Sequence, residues 1–334
     1  MRPRTLSQCS FEKSIYARIN RLLWRAAMTL IETCEDDFTP CLDSWDQVRK
    51  EFYADAPWML SCTYKNAMDL LQRETSTLAV IARDGERPVC IGSLERIPSS
   101  AVMKISELAF LKDEEDAGRE VLERLIERAH DLKAATLSVW IPESNERLRA
   151  LLQERGLEKS MEEGVFHLYL ASSATQETPW FTISSLAEGF SIEEFVTANR
   201  TAFAEDESRL LEEAEVREWI GQGERFDPEL QLVAVHGGDA IGTVLCELSP
   251  NSIREDGPSD AWVYGLGVVP AHRRRGVART LIEELKRRLK KRNILDLYLL
   301  SDVEGGARPF YESAGFTMAD VYAEYSFSLE PGND

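Results

Sequence analysis

The second half of the chain switches repeatedly between strand-like and helix-like spacing of apolar residues. Phe181-Thr182-Ile183 predicts a short first strand. Ser191 is placed to cap a helix running through Phe203, with Glu194 at the third helical position completing a capping box. A second, acidic helix is predicted from about Ser208 to Ile220. Leu230–Val235 and Ala240–Leu248, joined by Gly237-Gly238, predict a hairpin with a primed-type turn. Ala261–Val269 is a long apolar strand stopped by Pro270. Val277, Leu281, Leu285 and Leu289 form the apolar stripe of a helix over Gly276–Arg292. Ile294–Leu300 then predicts a buried strand, and Ala307–Ala314 a short helix ended by Gly315. Tyr322–Leu329 closes the half as a strand. The order is strand, helices, three antiparallel strands, helix, strand, helix, strand, which is a mixed α/β domain.

The first half is a weaker echo of this order. Asn145–Leu157 aligns with Glu304–Phe316 at one constant offset: Leu148 falls on Ala307, Leu152 on Tyr311, Gly156 on Gly315 and Leu157 on Phe316. Upstream, Ile105–Phe110 mimics the long strand, and Gly118 is expected to open a helix with Leu122, Leu125, Ile126 and Ala129 on one face. The Asp84-Gly85 turn echoes the second hairpin. This is an internal repeat, so two similar domains stand in tandem. The seam falls at Ala171–Pro179, a small polar stretch ending in Pro, just after the closing strand Val165–Leu170. The expected division is 28–172 and 173–334. Residues 1–27 form a basic extension carrying Arg2, Arg4, Lys13, Arg18, Arg21 and Arg25. Its bias faintly resembles an organelle transit peptide; the plainer reading is a frayed extension, with the domain beginning near Met28.

Composition narrows the function classes. A chain of 334 residues suits two domains, and 43% apolar with 29% charged residues is a globular balance. No run of about 18 apolar residues is present, so no membrane-spanning helix is expected. Lys plus Arg is 39 against 58 Asp plus Glu, a net charge of −19 that repels nucleic acid and anionic lipid. The basic run Lys286–Arg292 lies in the last turns of a helix and reads as a solvated face complementing the dipole. Cys9, Cys34, Cys41, Cys62, Cys90 and Cys246 form no C-x-x-C, so reduced thiols in a cytoplasmic protein are expected. His130, His167, His236 and His272 share no metal-ligand spacing, and no metal is expected.

The chemistry concentrates in Gly265–Arg279. A strand stops at Pro270, the loop Arg273-Arg274-Arg275 follows, and a helix opens at Gly276. Free N–H groups at a helix N-terminus suit a phosphate, and Gly276 and Ala278 let the backbone come close to one. Arginine contacts would add about 1.5–3 kcal/mol each. The Walker spacing is absent. Alone, this segment is equally a basic loop on a solvated face. Paired with Ala307–Phe316 and the strand order, it resembles the GNAT superfamily of N-acetyltransferases over residues 181–329. The family's V-x-P-x-x-[QR]-x-x-G-x-[GA] meets Val268, Pro270, Arg273, Gly276 and Ala278; its A-x-x-x-Y-x-x-x-G-F meets Ala307, Tyr311, Gly315 and Phe316. Glu304 stands where the family usually has Asn.

The resemblance implies a fold of two tandem GNAT-like domains, with acetyl-CoA as co-substrate. It implies a pyrophosphate held by Arg273, Arg274, Arg275, Gly276, Val277, Ala278 and Arg279, and a pantetheine arm along Leu266, Val268 and Val269. A backbone N–H near Val268 would polarise the thioester carbonyl. Tyr311 would protonate the departing thiolate, the alternative being an ordinary aromatic on a helix face. The acceptor would be a primary amine on a small molecule or peptide, attacked directly in a monomer or homodimer. Glu247 and Asp260 are the candidate bases, although for each a surface carboxylate is the commoner outcome. In the first copy Glu114-Glu115-Asp116 replaces the arginines and Leu152 replaces the phenol, so that copy is expected to fold without catalysing. The tandem layout also resembles the mycothiol synthases, which acetylate the amine of a thiol sugar. A reading from another class is a non-catalytic acyl-CoA-binding protein.

Overall fold

The computed structural model describes residues 29–34, 42–53, 76–97, 100–170, 179–204, 213–214, 216–217, 224–249 and 260–329. The expected seam at 171–178, the extension 1–27 and most of the expected helix 208–220 lie outside them. The first half runs β1 (Thr29–Cys34), α1 (Leu42–Phe52), β2 (Ser76–Asp84), β3 (Arg87–Arg96), β4 (Val102–Phe110), α2 (Glu115–Asp131), β5 (Thr136–Pro142), α3 (Glu146–Glu154) and β6 (Glu158–Tyr169). The second half repeats it: β7 (Thr182–Ser185), α4 (Ile192–Ala202), β8 (Leu232–His236), β9 (Asp239–Leu248), β10 (Asp260–Val268), α5 (Val277–Lys290), β11 (Asp296–Ser301), α6 (Arg308–Ser313) and β12 (Thr317–Ser328).

Local signals hold where they are chemical. Ser191 Oγ accepts from the Glu194 N–H at 3.1 Å and donates to the Glu194 carboxylate at 2.7 Å, closing the cap of α4. Gly237 and Gly238 have φ of +64° and +96°, as a primed hairpin turn requires. Two expectations need correction. Gly118 does not open α2; the helix begins at Glu115, because acidic side chains suit the positive end of a helix. The basic run of α5 is not simply a solvated face. Lys286 is buried against Glu283 at 2.7 Å, and Arg292 reaches Asp227 at 2.6 Å.

The strands join in one twelve-stranded sheet, ordered β1-β2-β3-β4-β5-β12-β6-β11-β10-β9-β8-β7. Neither half completes its own sheet. The last strand of the first half, β6, pairs antiparallel with β11 of the second. The last strand of the second half, β12, pairs antiparallel with β5 of the first. The two exchanged strands pair with each other at the centre. Helices α2 and α5 each press an apolar stripe onto the sheet: Val121, Leu122, Leu125 and Ala129 in one case, Val277, Leu281, Leu285 and Leu289 in the other. Among the described residues no helix is long and apolar enough to cross a membrane.

Candidate functional site

The site begins where two parallel strands part. β10 pairs with β11 only over Asp260–Val263, then bulges between Val263 and Gly265 and runs on to Val268 against β9 alone. The Val269 N–H donates to Ile241 on β9 at 3.0 Å. Successive N–H groups on a strand point to opposite sides, so those of Val268 and Leu266 face the open edge. Beyond the strand, a short turn over Pro270–His272 leads to Arg274 at φ +62° and Gly276 at φ +84°. Gly276 is the N-cap of α5 and makes no side-chain cap, so the first N–H groups of the helix point outward with the dipole behind them.

The arginines divide their work. Arg274 and Arg279 line the cleft; Arg279 also donates to the Ser313 carbonyl at 3.0 Å and hydroxyl at 2.8 Å, tying α5 to α6. Arg273 lines it too, but its guanidinium donates to the Val268 and Ala202 carbonyls at 3.1 and 2.8 Å, which fixes the loop. Arg275 is not on the cleft wall. Its guanidinium stacks 4.0 Å from the ring centroid of Trp180, whose indole N–H donates to the Arg275 carbonyl at 3.4 Å. Cation–π attraction explains that placement.

The cleft holds about 620 Å³ between Leu266 and Val268, the mouth of α5, and Ala307, Pro309, Phe310, Tyr311 and Ser313 on the α6 side. Tyr311 is buried among Phe310, Phe316 and Phe166, with ring centroids 5.4, 5.9 and 5.8 Å away. Phe166 comes from β6, so a first-half strand buttresses the phenol. Glu304 is exposed on the loop before α6.

On the β9 side of the bulge, Glu247 is 4% exposed and paired with Arg225. Burial raises its pKa, partly offset by Arg225 and by a hydrogen bond from Tyr264. It is therefore no surface carboxylate, but it pairs with Trp262, six residues from Val268 or roughly 20 Å along a strand, and does not line the cleft. Asp260 is equally buried but lies at the far end of β10, level with Asp296, eight residues from Val268 or roughly 27 Å along a strand. The structure does not bring it to the cleft. Asn199 Oδ1 on α4 and Thr243 Oγ1 on β9 are buried with no hydrogen-bond partner among the described residues, a condition costing about 1–3 kcal/mol each. Cys90 and Cys246 are buried free thiols with pKa values raised by burial, unsuited to nucleophilic attack. Among the described residues no His, Cys, Asp and Glu group could hold a metal.

The first half closes the corresponding mouth. Glu115 stands in the first turn of α2 and takes a bond from Arg147 Nε at 2.7 Å, while Arg147 Nη2 donates to the Leu111 carbonyl at 2.7 Å. Burial alone would raise the Glu115 pKa, but its own N–H and Arg147 hold it below the usual value. Leu152 is wholly buried where the second half has Tyr311.

Residues 192–316 match the acetyltransferase (GNAT) family. Over that stretch the second half of the chain is similar to GNAT-family proteins. A mycothiol acetyltransferase of Catenulispora acidiphila is 30% identical over 191 residues, spanning 55% of this chain and 60% of that relative. A GCN5-related N-acetyltransferase from Sphaerobacter thermophilus superposes with a TM-score of 0.68 at 17% identity, covering 91% of this chain and 97% of that one. A tandem GNAT protein from the clavulanic acid biosynthesis pathway gives 0.67 at 13% identity, covering 91% and 100%. At these identities the likeness is one of fold, and the fold is tandem GNAT. Three features of the site carry no local sequence signal: Phe166 behind Tyr311, Trp180 under Arg275, and the Asn199 Oδ1 with no partner among the described residues.

Proposed function

We propose that the protein transfers acetyl from acetyl-CoA to a primary amine through its second half, by direct attack. The observation that carries this reading is the Gly276 mouth of α5, opening onto one cleft with Arg274, Arg279 and Tyr311. A Cβ at Gly276 would meet nothing within 4 Å, so the backbone stands open to an approaching diphosphate. Leu266, Val268 and Val269 would line the pantetheine arm. Acetyl-CoA supplies an activated thioester. The outward N–H of Val268 would receive the developing oxyanion. The ammonium proton first passes to Glu247 through water; the neutral amine then forms the C–N bond as the C–S bond breaks, Tyr311 protonates the thiolate, and the second proton leaving the nitrogen returns through water to the Tyr311 phenolate. The raised pKa of Glu247 suits a base for an ammonium near neutral pH. We assign no role to Asp260. The proposed domains are 28–172, which shapes and buttresses the site, and 173–334, which catalyses.

Tyr311→Phe tests the reading. Turnover in an acetyl-CoA-consumption screen over an amine library should fall while acetyl-CoA affinity is spared. Unchanged turnover would remove the acid role, and no turnover with any amine would favour a non-catalytic acyl-CoA-binding protein. A second acceptor class, the amine of a thiol sugar, is favoured by the partial match to the mycothiol acetyltransferase.

A further inference from the structure

Helices α1 and α4 have the same length and pack on the same strands of their halves. Aligned from their first residues, Trp45 falls on Phe195, Val48 on Ala198 and Arg49 on Asn199, all buried. The strands beneath align through their bulges. Ser106 is the extra residue of β4 and Tyr264 that of β10, so Glu107 and Gly265 each follow the bulge. In the first half this corner is filled by an ion pair: Arg49 Nε lies 2.8 Å from Glu107 Oε2 without hydrogen-bond geometry, and the Tyr53 hydroxyl donates to Glu107 Oε1 at 2.5 Å. In the second half both members of the ion pair are changed. Gly265 is half-buried where Glu107 is 2% exposed. A Cβ built on Gly265 would lie 3.7 Å from Asn199 Nδ2, in ordinary contact and without a clash. Asn199 is 1% exposed, and its Oδ1 has no partner among the described residues.

We infer that Asn199 is the contact that positions the acceptor: the amine enters over Gly265, where the first half holds the Glu107 side chain, and donates an N–H to Asn199 Oδ1, which a half-turn of the amide brings to the Gly265 side that Nδ2 faces. This rests on the proposed acetyl transfer and names the acceptor-binding residue for it. The chemistry decides the sign. Arg49 carries only donors and holds an acceptor; the unsatisfied atom of Asn199 is an acceptor and calls for a donor. A neutral amide in place of guanidinium also removes the charge that would repel an ammonium. Leu245 pairs with Gly265 and Glu247 lies two residues further on the same face of β9, so the positioned nitrogen stands between the Asn199 amide and the proposed base.

The test uses n-propylamine as a minimal primary amine and the near-isosteric Asn199→Leu, with Asn199→Asp as the variant that keeps an acceptor. In the full-length protein without coenzyme, the Asn199 side-chain amide signal, assigned by its loss in Asn199→Leu, should shift saturably with millimolar propylamine. An immobile signal overturns the inference. In turnover, Asn199→Leu should raise the amine KM about tenfold, the loss of one net hydrogen bond, with acetyl-CoA affinity unchanged and thermal stability equal or higher. Asn199→Asp should recover part of the loss. An unchanged KM in Asn199→Leu would make the amide purely structural and also overturns the inference. Failure of acetyl-CoA to bind would instead sink the acetyl-transfer reading, and the coenzyme-free amide shift separates the two.

Discussion

Replacement of Gly276 separates backbone strain from charge at the proposed diphosphate mouth. The residue has φ +84°, and an added Cβ meets nothing within 4 Å. Gly276→Ala therefore costs no clash, only the left-handed backbone, about 1–2 kcal/mol. Gly276→Asp carries a similar backbone cost, eased because Asp tolerates that region. The folded protein should thus lose no more stability with Asp than with Ala. For a bound diphosphate the outcome reverses. A carboxylate about 4 Å from a phosphate charge is repelled by about 4 kcal/mol at an effective dielectric near 20, or roughly a thousandfold in Kd. Calorimetric titration with acetyl-CoA, beside thermal unfolding of the free protein, reads both. The Asp penalty should shrink as salt is raised, since the mouth is solvent-facing. Equal acetyl-CoA affinity in the Ala and Asp proteins would refute the placement of the diphosphate at α5.

Glu247 should set an acidic limb in kcat/KM. Its pKa is raised by burial, so activity should fall as pH drops through a value above that of an ordinary carboxylate; Glu247→Gln should lower the rate and erase that limb, and an unmoved profile would exclude the base role. Phe166 is fully buried against Tyr311. Phe166→Ala should destabilise by about 3–5 kcal/mol, read by denaturant unfolding, and should lower kcat more than it weakens acetyl-CoA binding.

Much of the second half is legible from local pattern. The Ser191 cap, the Gly237-Gly238 turn, the four-residue stripe of α5 and the Gly315 stop are all short-range chemistry. The repeat is legible too, because Gly156 and Gly315 both end a short helix with positive φ. The failures are also physical. Gly118 in sequence looks like Gly276, but in space it packs inside α2 against Phe110 and Leu151. Asp260 and Glu247 are alike as residues and both are buried away from the cleft wall; Glu247 pairs with Trp262, two residues nearer the bulge, and carries the arginine partner. Arg275 belongs to the motif by position and to Trp180 by contact.

Local chemistry sets most of the elements, the tandem repeat and the loop proposed to hold the diphosphate, since capping, glycine conformation and helical periodicity act within a few residues. Long-range pairing puts β6 and β12 in each other's halves, sets Phe166 behind Tyr311, and turns the Asn199 Nδ2 toward Gly265 while its Oδ1 has no partner among the described residues. Those relations join residues far apart along the chain. They follow from which strand edges close the sheet, and closure is settled by the whole sheet.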